Sequence, residues 1–365
     1  MVRGAPEHLL STVVIGGGQA GLAAGYYLKK YGEDFVILDA GERVGDSWRN
    51  RWNSLRLFTP AVLSALPGMS FPFKGGYFPT KHETADYLEE YARKLDLPVR
   101  LGRQVDSLRR EDGGYVVSAG RERHVAENVV VATGPYRTPR VPEFARWLDP
   151  SITQLHSSAY RKTGQIPEGD VLVVGAGNSG AEIALELADT HRTYLSGRDT
   201  GNVPGGVRQE RLPRHILFAW HIGWRIISRL TADTRLGRRG REFSRTRGMP
   251  LVRFSPDDLI KAGVERVPRV EDVAAGKPEL ANGRTLEVAS VVWATGFKPD
   301  FGWIELPIFG DDGYPLQHRG VVDCAPGLYF LGLPFQHTFL SETIGGVGRD
   351  SRYIAEHLTA RNIRM

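Results

Sequence analysis

Two glycine-rich turns, each set between an apolar strand and a helix-like run, constrain this chain more than any other feature. The first is Gly16-Gly17-Gly18-Gln19-Ala20-Gly21, entered from Thr12-Val13-Val14-Ile15 and followed by a helix-like stretch from Leu22 to Tyr31 that stops at Gly32. The second is Gly175-Ala176-Gly177-Asn178-Ser179-Gly180, entered from Val171-Leu172-Val173-Val174 and followed by a helical run from Ala181 to Asp189. Both match G-x-G-x-x-G in the strand–turn–helix context a dinucleotide site requires. Gly16 and Gly175 would make the tight turn, and Gly18 and Gly177 would let backbone approach a pyrophosphate. Gly21 and Gly180 would let helix pack on strand, while the helix amino ends, with Asn178 and Ser179 in the second, offer amide donors to phosphate. One such turn is weak evidence. Two in the right context predict an α/β chain of two Rossmann-like dinucleotide-binding domains.

The second strand of each unit then tells the two sites apart. Phe35-Val36-Ile37-Leu38 ends at Asp39, and Arg192-Thr193-Tyr194-Leu195-Ser196 runs through Gly197 into Arg198. Asp39 and Arg198 each stand 18 residues past the last glycine of their turn. A carboxylate there accepts hydrogen bonds from ribose hydroxyls, whereas a guanidinium fits a 2′-phosphate through paired hydrogen bonds. The first site therefore reads as FAD and the second as NADPH. Two further strands, Asn128-Val129-Val130-Val131 and Val291-Val292-Trp293, each end in Ala-Thr-Gly, which adds Thr133, Gly134, Thr295 and Gly296 to the cofactor candidates.

Composition narrows the chemistry. A single cysteine, Cys324, in 365 residues excludes an internal disulfide, a C-x-x-C redox pair and a cysteine-cage zinc site. The ten histidines show no H-E-x-x-H or other metal spacing, and no G-x-S-x-G is present, so no metal and no α/β-hydrolase is expected. The formal charge of +5 is compatible with anionic cofactors without demanding nucleic acid. Arg235, Arg238, Arg239, Arg241, Arg245 and Arg247 form a basic run with only Phe243 among them, which reads as a solvated loop or basic helix rather than a nucleic-acid surface. The longest largely apolar stretch, Ile216 to Ile227, is interrupted by His221, Gly223 and Arg225 and is too short to cross ~30 Å of hydrocarbon. With no signal-peptide pattern before the first strand, the expected location is cytoplasmic.

The two glycine turns, the two Ala-Thr-Gly turns and Gly327-Leu328-Tyr329-Phe330-Leu331-Gly332 together resemble the class B flavin monooxygenases. Within them the chain is most similar to the short bacterial flavin-containing monooxygenase-like proteins, among which many cation-resistance flavoproteins are filed. The similarity extends over almost the whole chain. It includes Gly45-Asp46-Ser47-Trp48, the run from Trp52 to Pro60, and Gln154-Leu155-His156-Ser157-Ser158-Ala159-Tyr160. The resemblance implies an FAD domain of residues 1–150 and 293–365, with an NADPH domain of residues 151–292 inserted. It also implies that Trp48 and Asn53 lie along the flavin, and that Phe58 occupies the position where many relatives carry an asparagine beside it. His156 and Tyr160 match the second half of the family fingerprint F-x-G-x-x-x-H-x-x-x-[YW], while Pro150 and Ile152 stand at its aromatic and glycine positions. Thr343-Ile344-Gly345-Gly346 is expected to open a helix whose amino end faces the flavin.

What accepts electrons from the reduced flavin decides the activity. Lacking a cysteine pair, the chain is expected to use dioxygen. It would oxygenate a small organic amine, sulfide or ketone through a flavin hydroperoxide, with Phe58, Asn53 and His156 as the catalytic candidates. A reductase passing electrons from NADPH to a protein or small acceptor shares both nucleotide sites and remains open. So does a non-enzymatic flavoprotein module in metal resistance. The expected partners are a small-molecule substrate and dioxygen, without nucleic acid or a membrane span, and a homodimer is left open.

The matched offset of Asp39 and Arg198 generates a test of coenzyme choice. Charge-assisted hydrogen bonds of about 1.5–3 kcal/mol correspond to roughly a tenfold to hundredfold preference for NADPH over NADH. Arg198→Ala is expected to raise the KM for NADPH and leave that for NADH unchanged in steady-state assays, with the difference shrinking at high salt. Equal losses with both coenzymes would make Arg198 a structural residue.

Overall fold

The computed structural model describes residues 10–111, 113–203, 210–247 and 249–363. The side chains of Phe243, Arg245 and Arg247, within the basic run, lie outside the described ones. The described residues start with β1 (Leu10–Ile15), α1 (Gln19–Lys30), β2 (Phe35–Leu38), the single turn α2 (Asp46–Arg49) and α3 (Lys81–Lys94). The strands β3 (Val99–Arg100), β4 (Ser107–Glu111), β5 (Gly114–Ala119) and β6 (Glu122–Val131) follow. The short β7 (Thr138–Pro139) leads to β8 (Thr153–His156), β9 (Val171–Val174), α4 (Asn178–Ala188) and β10 (Thr193–Ser196). Next come α5 (Arg214–Ile227), α6 (Arg235–Arg247), α7 (Pro256–Lys261), β11 (Glu265–Val267), β12 (Val270–Ala274), β13 (Lys277–Leu280) and β14 (Ser290–Trp293). The chain returns through β15 (Phe297–Lys298) and closes with β16 (Leu328–Phe330) and α8 (Val347–Asn362).

Two sheets carry the architecture. In the first, β3, β2, β1, β6 and β16 are parallel neighbours, and β6 also runs antiparallel to β5, which pairs with β4. The length of β6 makes this possible. Residues 122–126 pair with β5, while residues 129–131 sit between β1 and β16. The second sheet is parallel throughout in the order β11-β10-β9-β14-β8. In both, the strand bearing the glycine turn has its sequential successor on one side and the strand ending in Ala-Thr-Gly on the other. That is the switch point at which an open α/β sheet forms its crevice. Every residue of β2, β9, β10 and β14 is buried, as parallel strands covered on both faces must be.

Helices α1, α3 and α8 cover one face of the first sheet, contributing Leu22 and Leu28, Tyr87, Leu88 and Tyr91, and Ile354 and Leu358 to one core. Helix α3 begins on a Thr-x-x-Glu spacing, Thr80 to Glu83. Thr80 accepts from the Glu83 amide while the Glu83 carboxylate accepts from the Thr80 amide, the reciprocal capping box. The Thr343–Gly346 segment forms a turn ahead of α8, which starts at Val347, because the Thr343 hydroxyl accepts from the Gly346 amide and donates to Leu340. The basic run lies on helix α6.

The sheets are joined where the chain crosses between them. Both crossings leave from an Ala-Thr-Gly turn, and they pair with each other as the antiparallel ribbon of β7 and β15. A second connection comes from the loop after α2. Trp52 and Leu55 leave the first sheet's surroundings and pack among Tyr160, Ala181, Ala184 and Val173 of the second.

Candidate active site

The two glycine turns adopt nearly the same geometry. Gly16 and Gly175 have φ of 107° and 110°, a region that favours glycine. A Cβ on Gly16 would lie 2.6 Å from the Ala132 carbonyl oxygen, and one on Gly175 would lie 2.2 Å from that of Ala294. The third glycines are tighter still, with a Cβ on Gly21 falling 1.8 Å from the Gly16 oxygen and one on Gly180 falling 1.7 Å from the Gly175 oxygen. Gly18 and Gly177 are different. Nothing lies within 4 Å of where their Cβ would stand, and their φ of −77° and −76° suit any residue. The helices that follow have neither a side-chain cap nor an acidic residue in the first turn. Open space before an uncapped helix amino end, at a sheet switch point, fits a pyrophosphate.

Asp39, at the end of β2, is held by the Gly17 amide at 2.5 Å through Oδ2 and the Gly41 amide at 2.7 Å through Oδ1. An ionised carboxylate has about four acceptor positions, so two remain for hydroxyl donors. Arg198 is exposed just past β10, and Asp199 turns back to accept from the Gly201 amide at 2.8 Å. Thr133 and Thr295 head the two Ala-Thr-Gly turns, which close at Gly134 and Gly296 with φ of 68° and 79°. Thr295 donates its hydroxyl to the Arg140 carbonyl.

A cavity of about 130 Å³ lies between the two units. Trp48, Trp52 and Phe58 line it from the first, and Ser179, Glu182 and Arg253 from the second. Asn178 also borders it, but its amide is engaged by Pro250 and Val252, each at 2.9 Å. Trp48 donates its indole N–H to Gln19, whose amide in turn donates to the Glu342 carbonyl, both at 3.3 Å. Gln19 therefore positions Trp48 above the start of α1.

Asn53 and His156 are not among the residues lining this cavity. Asn53 is exposed, and its side-chain oxygen accepts from Lys81 Nζ at 3.0 Å. His156 Nδ1 accepts from the Ser158 amide at 3.1 Å, so Nε2 carries the proton and donates to the Gly296 carbonyl at 2.9 Å. Burial lowers its pKa, which keeps the ring neutral and the donor in place. His156 thus fastens the second Ala-Thr-Gly turn to β8.

Two features escape the sequence patterns. Lys81 is 3% exposed and donates to the carbonyls of Arg49 and Arg51 as well as to Asn53, clamping the loop that carries Trp52 into the second unit. A cation in the first turn of a helix opposes the macrodipole, and that misplacement was the available signal. The other is the ion pair of Glu182 and Arg253, 2.9 Å apart on the cavity wall. Burial pushes the Glu182 carboxyl up to about 7 against the pull of Arg253.

Residues 13–202 match the model of a family described as pyridine nucleotide-disulphide oxidoreductase. The chain belongs to that family. It is an oxidoreductase, and membership implies a flavin and a pyridine nucleotide. It is 41% identical over 354 residues to a CzcO-like oxidoreductase of uncharacterised activity from Geobacillus kaustophilus, covering 95% of this chain and 98% of the relative. The indole-3-pyruvate monooxygenase YUCCA6 of Arabidopsis thaliana is 28% identical, covering 95% of this chain and 89% of its own. Among solved structures, a flavin-containing monooxygenase from Stenotrophomonas maltophilia superposes with a TM-score of 0.80 at 27% identity, over 97% of this chain and 99% of that one.

The open space at Gly18 and Gly177 separates binding from folding. Gly18→Val is expected to give a folded protein that copurifies without flavin, and Gly177→Val a yellow protein with a weakened pyridine nucleotide site. Flavin absorbance and coenzyme titration, read beside circular dichroism, check this. Gly21→Ala, which drives a Cβ into backbone, is expected to lose folded protein instead.

Proposed function

We propose that the chain is a monooxygenase that binds FAD at the first glycine turn and NADPH at the second and oxygenates a small organic amine, sulfide or ketone. The observation that carries this reading is the shared cavity, bordered by Trp48 and Phe58 from one nucleotide unit and by Ser179 and Glu182 from the other. A flavin and a nicotinamide must meet for hydride to pass, and a cavity walled by both units is where they would. The resemblance to a flavin-containing monooxygenase over nearly both full lengths supports the oxygenase form of the reaction. In this reading residues 1–150 and 293–365 hold FAD, and residues 151–292 hold NADPH.

Each residue then has a task. Gly16, Gly18 and Gly21 shape the FAD pyrophosphate cradle, Asp39 takes the ribose, and Thr133, Gly134 and Thr343 border the cofactor. Gly175, Gly177, Ser179 and Gly180 repeat the cradle for NADPH, with Arg198 on the 2′-phosphate and Thr295 and Gly296 closing the crevice. FAD supplies hydride acceptance from the nicotinamide and activation of dioxygen. Trp48, Trp52 and Phe58 exclude water from the cavity. Glu182, whose carboxyl is pushed upward by burial against the pull of Arg253, is the group on the cavity wall that would hold or release a proton.

The family description includes disulphide chemistry, which requires a thiol pair near the flavin. This chain has one cysteine, Cys324, and it is exposed. A reductase serving a protein acceptor differs from an oxygenase in the fate of dioxygen. Incubation with NADPH, 18O2 and a panel of amines, sulfides and ketones is expected to place one labelled oxygen atom in a product, read by mass spectrometry. Phe58→Asn, which returns a donor to the cavity, is expected to lower hydrogen peroxide release per NADPH severalfold. No label in any product, together with rapid NADPH-dependent reduction of a protein acceptor, would replace the proposal with the reductase.

A further inference from the structure

Helix α5 is apolar on two faces and covered on one. Its inner face carries Trp220, edge-on to Phe78 with ring centroids 6.2 Å apart, and Trp224, whose ring lies 3.2 Å from where a Cβ on Gly345 would stand. None of its fourteen residues is fully buried. On the opposite face Phe218, Ile222 and Ile226, spaced by four and therefore aligned in one stripe, are 69%, 47% and 55% exposed. Leu236, at the start of α6, is 67% exposed. A surface helix ordinarily turns a polar face to water, and an apolar stripe left outside marks a contact surface.

The charge beside the stripe identifies what it meets. Arg214 lies four residues before Phe218 and Arg225 three after Ile222, so both flank the stripe, and both are exposed. Arg229, Arg235 and Arg239 continue the exposed positive rim between α5 and α6. The two acids nearest the stripe are engaged elsewhere: Glu210 pairs with Arg56, and Asp233 pairs with His318 at 3.0 Å. Exposed aromatic and aliphatic side chains rimmed by arginine match an interfacial helix on anionic lipid. A second copy fits worse, since a twofold contact would bring like-charged rims together. The helix, at 14 residues, is too short to cross a bilayer, and among the described residues no helix is long and apolar enough to do so.

We propose that α5 and the start of α6 form a peripheral docking surface for an anionic phospholipid bilayer, with Phe218, Ile222 and Ile226 entering the acyl boundary and the arginines pairing with headgroup phosphates. The FAD-loaded full chain is expected to sediment with vesicles containing phosphatidylglycerol and not with phosphatidylcholine alone, and high salt is expected to release it. Combined Arg225→Gln, Arg235→Gln and Arg239→Gln should weaken binding by about a hundredfold. Phe218→Ser with Ile222→Ser should weaken it by about tenfold or more while flavin content stays unchanged. These arginines are exposed, so their variants report even if the apolar pair disturbs folding. Absence of cosedimentation with anionic vesicles would overturn the proposal. So would a dimer in sedimentation velocity that Phe218→Ser converts to monomer.

Discussion

The structure rests on a contact in which no side chain fits. The α-carbon of Gly16 lies so close to the Ala132 carbonyl, and that of Gly175 to the Ala294 carbonyl, that a methyl group at either would overlap backbone. This closeness brings each Ala-Thr-Gly turn against a dinucleotide turn at the switch point of its sheet. Both passages between the units begin at those Ala-Thr-Gly turns and pair as β7 and β15, so the same contact also governs how the two crevices face each other. His156 adds a fastening at the second turn through its hydrogen bond to Gly296.

Between the crevices the cavity wall is assembled by fastenings from both sides. Lys81 gathers three oxygen atoms of the loop from Arg49 to Asn53, and that loop sends Trp52 and Leu55 into the second unit's core. Glu182 and Arg253 bring a buried ion pair to the same wall. Burying such a pair is costly unless the geometry is good, and here the two groups stand 2.9 Å apart. Arg253 also stacks over Phe78 of the first unit at 5.6 Å, so the pair ties the cavity wall to the joint.

Features dictated by local sequence are legible in the sequence itself. The two glycine turns and the strands entering them depend on φ, close approach and β-branched runs, all of which a short window displays. The strand Phe35–Leu38 follows for the same reason. The residues that assemble the cleft were harder, because their partners are distant in sequence. Gln19 meets Trp48 and Glu342, and Lys81 meets residues near 50. The resemblance suggested a flavin neighbour at Asn53 and a catalytic group at His156, and the hydrogen bonds these side chains make, to Lys81, Ser158 and Gly296, belong to tertiary structure that no short window displays. Helix α5 was visible only as an apolar stretch, since which of its faces the fold would cover is a tertiary matter.

The central claim is that one chain passes electrons from a nicotinamide at the second glycine turn to a flavin at the first without help from a thiol. Anaerobic stopped-flow mixing of the FAD-loaded protein with NADPH tests it most directly. The account predicts that one equivalent of NADPH bleaches the flavin absorbance, and that Cys324→Ser does so at the same rate. A flavin that stays oxidised, or bleaching that disappears in Cys324→Ser, would contradict it.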